Sequence, residues 1–347
     1  MILSLALSAT LAHAAEVSWT GGGHGSNPQW SVDGTWLAFE VNNNADKVDL
    51  YVVKMNGGAP GQPQKVTIPG TSSSFSGGGG YAANPVWHPR GLMIFEAANA
   101  GGKPRLYSVS PGMGSAAEFL SATQAPGSLQ WPSISPDGSQ VAFTSSNTGK
   151  GDVYVFAQQG GKVTATVSTP APESAPRFAA DNKTLVFSKK NEATEDVYAW
   201  TAGAPAQKLL AGGPGDQTRP RVVGDKVVYF TNERGDELWD IAVVPLAGGD
   251  RRIVAKDVRL PQHSAPAVTP DGSAVLYGTS APTQDGAVFV TRLDGSGGAQ
   301  VSTGGLTAVG DPVVVSAGGR TLLAFTALPK VESDWRQLHV IDVTGKF

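Results

Sequence analysis

Few groups in this chain could do chemistry. Cysteine is absent from the 347 residues, which excludes disulfides, thiolate-ligated metal and a thiol nucleophile. A serine hydrolase of the α/β type needs a G-x-S-x-G turn, and no such pentapeptide occurs. Beyond the first 15 residues, histidine is limited to His24, His88, His263 and His339. A metal site needs three or four converging ligands, and these four are dispersed. His339 falls where a packed aromatic is expected, and His88 falls in a solvated turn. His24 and His263 remain as histidines that could meet a ligand. The glycine runs at 21–23 and 77–80 are not followed by Lys-Ser/Thr and open no helix, so they read as surface loops. The stretch NNNADKVD from Asn42 lacks the Asp/Asn-Gly order of a calcium loop. No catalytic residue, metal site or cofactor is expected.

The elements that would position such groups repeat. A proline followed two residues later by an apolar residue recurs seven times, at Pro28, Pro85, Pro132, Pro176, Pro220, Pro266 and Pro312. A tight-turn signal follows most copies: SVDG from Ser31, HPRG from His88, SPDG from Ser135, AADN from Ala179, TPDG from Thr269. Then comes an apolar run carrying one aromatic: Phe39, Phe95, Phe143, Phe187, Tyr229, Tyr277, Phe325. A third run holds an apolar-aromatic pair, from Leu50-Tyr51 through Leu238-Trp239 to Leu338-His339. A weaker fourth run closes the first six units. Short runs rich in β-branched and aromatic residues, bounded by Gly, Pro, Asn and Asp, read as strands. No long helical period is present.

Four strands per unit and a spacing near 46 residues predict an all-β, seven-bladed β-propeller of four-stranded antiparallel blades. The seventh unit lacks its fourth strand, and EVSWT at 16–20 has that pattern, so the N-terminal strand is expected to close the ring beside Leu338 to Val343. A single blade cannot bury both faces. Each slot residue buried against a neighbouring blade contributes about 1.5–3 kcal/mol. Residues 1–15 are apolar, end in a small-x-small pattern at Ala12-His13-Ala14 and are too short to span a bilayer, which reads as a secretory signal without a basic start. The expected organisation is a signal peptide over 1–15 and one propeller over 16–347, exported or periplasmic, with no membrane span.

Units such as WPSISPDGSQVAFTSSNTGKGDVYVF from Trp131 resemble the TolB-type propeller repeat. The resemblance covers residues 27 to 347. That repeat occurs in periplasmic TolB proteins, prolyl-oligopeptidase-like enzymes and oligogalacturonate lyases. TolB itself carries an α/β domain before six blades, so this sequence is similar to TolB without matching its layout. The resemblance implies a partner in the cell envelope, such as a peptidoglycan-associated protein.

Function should then sit on loops held by the scaffold. The second-to-third strand loops and fourth-to-first connections emerge on one face and are long and charged, whereas the opposite turns are trimmed. Trp335, Arg336, Tyr81, Arg219, His24 and His263 are the candidate partner-binding residues on the long-loop face and channel mouth, since Trp, Tyr and Arg dominate interface hot spots. Trp335 stands outside the aromatic slots and either folds back onto its blade or awaits a partner. The net charge of -3, with Lys and Arg scattered, argues against nucleic acid. The expected function is non-catalytic binding of an envelope protein or peptide by a chain monomeric on its own. Two alternatives stay open: a scaffold subunit of an envelope or secretion assembly, and a carbohydrate-active enzyme similar to the oligogalacturonate lyases.

Overall fold

A computed structural model describes residues 14–19, 22–43, 47–69, 80–99, 101–235, 237–281, 286–329 and 335–346. They hold 29 strands and no α-helix. The strands fall into seven antiparallel units. Unit 1 is His24–Trp30, Trp36–Asn42, Val48–Asn56 and the short Gln64–Lys65, with Ala59–Pro60 as an extra pairing. Unit 2 is Tyr81–Trp87, Met93–Ala98, Arg105–Val109 and Ala117–Glu118. A single parallel bridge, Val48↔Tyr81, joins these two into one larger sheet. Unit 3 runs Leu129–Ile134, Gln140–Ser145, Asp152–Ala157, Lys162–Val167. Unit 4 runs Glu173–Phe178, Thr184–Asn191, Thr194–Thr201, Lys208–Ala211, and unit 5 runs Gln217–Val223, Lys226–Thr231, Asp240–Pro245, Arg252–Ala255. Unit 6 runs Ala267–Val268, Ala274–Tyr277, Ala287–Arg292, Gly298–Ser302. The last sheet runs Thr307–Ala317, Arg320–Leu328, Gln337–Asp342 and, from the other end of the chain, Ala15–Val17. This is a β-propeller, whose sheets surround a central channel.

The repeat explains the packing. The predicted aromatics face each other across the second and third strands and stack: Phe39 on Tyr51, Phe95 on Tyr107, Phe143 on Tyr154, Phe187 on Tyr198, Tyr277 on Phe289 and Phe325 on His339. His339 is therefore a packed ring, as its slot requires. The fifth unit departs from the expectation. Leu238-Trp239 precedes the strand rather than filling it, and the residue opposite Tyr229 is Ala242. Tyr229 is fully buried, and a small residue opposite leaves space for its ring. Each apolar cluster joins two consecutive units, for example Val186, Val197 and Leu210 with Val227, Tyr229 and Val244. One cluster joins the last sheet to the first, through Val17, Leu338 and Val340 against Leu37, Phe39 and Tyr51.

Three further details differ from the sequence reading. The N-terminal strand begins at Ala15 and ends at Val17, with register Ala15↔Val340 and Val17↔Leu338, while Thr20 lies outside the described residues. In unit 4 the second-to-third strand connection, charged from Lys189 to Glu195, is not the long loop expected of that face. Its ladder continues to Asn191↔Thr194, so Lys189 and Glu195 belong to strands. His88 is buried rather than solvated. Its Nδ1 accepts the Arg90 N–H at 3.0 Å, which leaves Nε2–H to donate to the Gly138 carbonyl at 2.9 Å. A Cβ on Gly138 would lie 2.7 Å from that ring, so the glycine permits one turn to seat against the next.

Candidate binding face and channel mouth

The inner strands carry an irregularity at the same place. The residue before the aligned proline has a left-handed backbone at Asn27, Asn84, Trp131, Ala175, Arg219 and Asp311, with φ between 45° and 55°. The ladder slips across each of these sites. Such a conformation costs an L-residue about 1–2 kcal/mol and persists only where its surroundings hold it. At three of the six sites it turns a backbone N–H sideways, toward the preceding unit. Asn84 donates to Glu40 Oε1 at 2.7 Å, Trp131 to Glu96 Oε2 at 2.6 Å and Arg219 to Ser188 Oγ at 3.2 Å. All three acceptors directly follow the slot aromatic of a second strand. In units 1, 2 and 4 the polar residue after the aromatic is thus a clasp to the next unit.

Glu40 is the centre of the largest such group. It is fully buried and receives the Asn27 amide at 2.6 Å as well as the Asn84 N–H. Its other oxygen meets His263 Nδ1 at 2.8 Å. Burial pushes the His263 imidazole down, but its bond and charge attraction to Glu40 more than reverse this, and its pKa stands raised. Glu96 has burial as its main influence, which pushes its carboxyl up to about 7 against the bond from the Trp131 N–H. Burial likewise raises Asp311, which accepts the Thr326 hydroxyl at 2.9 Å.

His263 belongs to the connection between units 5 and 6, and that connection reaches around the channel. The Pro261 carbonyl accepts the Arg219 guanidinium of unit 5. The His263 ring stands edge-on, 6.1 Å from Trp131 of unit 3, and its Nδ1 meets Glu40 of unit 1. Ser264 donates to Asn27. Residues 261–264 therefore tie to units 1, 3 and 5 together. A segment touching inner strands from opposite sides lies across the mouth.

The predicted binding residues divide accordingly. His263 and Arg219 are brought together by the crossing segment and hold it. Arg336 turns inward, its guanidinium to the Ala308 carbonyl at 2.6 Å, while its carbonyl accepts the Gly25 N–H at 2.9 Å. His24 and Trp335 come together apart from these. Their rings meet edge-to-face at 5.0 Å, and His24 Nδ1 accepts the Arg336 N–H at 3.2 Å. Burial first, then the Arg336 charge, lowers the His24 pKa. Trp335 thus packs back onto the N-terminal side of unit 1 while staying half-exposed. Tyr81 starts the inner strand of unit 2 half-buried, with its hydroxyl 3.4 Å from the Gln130 amide. Burial raises its pKa. Sequence reasoning missed Glu40, Glu96, Arg177 and Arg221. The signal available was position: acidic residues after slot aromatics, and arginines directly after aligned prolines. Among the described residues, no group of three or more His, Asp or Glu has the geometry to hold a metal ion. No helix among them is long and apolar enough to cross a membrane.

This repeat, its left-handed pre-proline corners and its inner polar clasps define a propeller of repeated β-sheet units. A family model described as the TolB beta propeller domain matches residues 116–309, more than half of the sequence, and the chain belongs to that family. No curated protein matches the sequence. Among solved structures, TolB from Acinetobacter baumannii is similar at 18% identity and a TM-score of 0.53, over 90% of this chain and 64% of that one. The chain thus spans less than two thirds of that TolB. An oligogalacturonate lyase from Vibrio parahaemolyticus has 12% identity and a TM-score of 0.64, over 98% of this chain and 96% of the lyase. A puromycin-hydrolyzing peptidase from Mycobacterium tuberculosis has 14% identity and a TM-score of 0.64, over 97% and 55%. At these identities the likeness is one of fold.

Proposed function

We propose that this protein is an exported, non-catalytic binding module: a seven-bladed TolB-like propeller, closed by its N-terminal strand, that holds an envelope protein or peptide on its long-loop face. Closure is supported by the Ala15–Val17 pairing and by the cluster that joins last sheet to first. The single observation behind the binding reading is how the mouth is built. Its reactive groups hold one another and the crossing segment, through Glu40 with His263, and Arg219 with the Pro261 carbonyl. Trp335 and His24 are left as a half-exposed ring pair at the rim. A partner would cover this pair and extend to Tyr81, while Arg219, Arg336 and His263 keep the surface in shape from beneath. By its likeness to TolB, a peptidoglycan-associated protein is the first partner to try.

The test is capture of such a purified partner by the full chain and by two variants. Trp335→Ala should weaken binding by about 2 kcal/mol or more. Arg90→Ala, on an exposed turn of the opposite face, should leave it unchanged. Equal capture by both variants removes this face from consideration. A carbohydrate-active enzyme is the second reading, favoured by the match along nearly the whole lyase chain. Cleavage of oligogalacturonides by the purified protein with added divalent metal would replace the first reading with this one.

A further inference from the structure

We propose that Arg177 and Arg221 form an anion-binding site on the channel wall, one that takes a phosphate or carboxylate group of a small molecule. It stands apart from the partner surface at the rim and does not depend on it. The two residues hold equivalent places in neighbouring units. Each directly follows the aligned proline of an inner strand, and each pairs with a buried valine of the second strand, Arg177↔Val186 and Arg221↔Val228. Both stay partly accessible although protein surrounds them, which is what an enclosed internal space produces.

Among the described residues, neither guanidinium has a counter-ion. Arg177 donates once, to the Pro176 carbonyl at 2.9 Å. Among the described residues, Arg221 makes no side-chain hydrogen bond, and no carboxylate lies within 4.0 Å of either guanidinium. Other arginines of this chain are matched. Arg105 meets Glu118 and three carbonyls, Arg234 meets Asp240 and Asp257, and Arg251 meets Glu233. Enclosing two like charges without a partner is costly, and the cost is relieved by a third group of opposite charge. The physical response is visible in the pair. Burial, then the neighbouring Arg221, brings Arg177 down to about 10, and burial lowers Arg221. Glu96 attracts Arg177 from beyond ion-pair distance, and burial makes Glu96 a weak counter-charge near neutral pH. Glu40, Glu96 and Asp311 lie on units 1, 2 and the last sheet, while Arg177, Arg219 and Arg221 lie on units 4 and 5, where Glu195 attracts Arg219. An oxyanion would therefore be drawn to one wall. Two planar guanidinium forks suit phosphate or carboxylate geometry.

The experiment uses the full chain at fixed ionic strength in chloride, titrated with inorganic phosphate or with citrate, and followed by thermal midpoint and calorimetry. At least one of the two anions should raise the midpoint saturably, and which one does so identifies the class. Arg177→Gln and Arg221→Gln should each weaken that binding on the order of tenfold or more, as loss of a charged hydrogen-bond donor does. Arg90→Gln should not. In chloride alone, both channel variants should melt at or above the parent, because each removes an uncompensated enclosed charge. The proposal is overturned if neither anion gives a saturable rise, if the rise persists in both variants, or if both variants melt lower in chloride, which would make the pair structural.

Discussion

The decisive residues are polar and buried. Glu40 satisfies an amide, a backbone N–H and an imidazole at once. Glu40→Ala would orphan all three inside the protein, and breaking a buried charged group of this kind costs on the order of 3–5 kcal/mol. Urea unfolding should register that loss, and a shift well under 1 kcal/mol would mean the Asn84 corner is held by something else. Glu96 governs a pH dependence. Its pKa rises from 4.5 to about 7 on folding, so its contribution is fully present below about 4.5 and is lost as pH climbs through about 7. His263 is also raised and acts with the same sign. Besides burial, the groups acting on Glu96 are the Trp131 N–H, the Asn84 side chain, His263 and Glu40, and Glu96 in turn acts on Arg177 and Tyr81. Glu96→Gln should therefore flatten the decline in stability between pH 5 and pH 8, by up to about 3 kcal/mol at the alkaline end. A variant whose stability runs parallel to the parent across that window would assign the slope to other groups.

At the scale of elements, the N-terminal strand is a short piece with a large consequence. It pairs over three residues, yet Val17 is only 1% exposed in the cluster shared by the last sheet and the first. Val17→Asp would force an unpaired carboxylate into that seam or undock the strand. Its melting temperature should fall as far as that of Leu338→Ala, a core truncation worth about 2–5 kcal/mol. A melting point equal to the parent's would show the seam to be loose. The repeat made most strands legible, because one spacing of proline, turn and aromatic served seven times. Where it failed, local competition decided. Leu238-Trp239 has the look of a third-strand pair, but Tyr229 needs Ala242 opposite it. Lys189 to Glu195 looks like a loop by charge, but backbone pairing continues through it. The mouth was less legible than the strands. His263 and Glu40 are 223 residues apart, and only the packing of distant sheets brings them to one hydrogen bond.

For the whole molecule, the seam between last and first sheets is built like the other contacts between units: apolar side chains from both sheets in one cluster. If the seven contacts are equivalent, the place where the chain is cut should matter little. A circular permutant tests this. Joining residue 346 to residue 14 through a short flexible linker and opening the chain between Gly160 and Gly161 moves the termini to an exposed turn of unit 3. Both glycines have left-handed backbones and no side chain to bury, so the cut removes little packing. The permuted protein should fold with the parent's β-sheet circular dichroism and should melt as one transition within about 5 °C, a change of roughly 1–2 kcal/mol for a domain of this size. Val17→Asp placed in the permutant gives the sharper reading. There the strand is internal and held covalently on both sides, so undocking it is opposed by the chain on either flank. The substitution should therefore cost less in the permutant than in the parent. An equal or greater cost would mean that the strand is held by its own side chains alone, whatever its place along the chain.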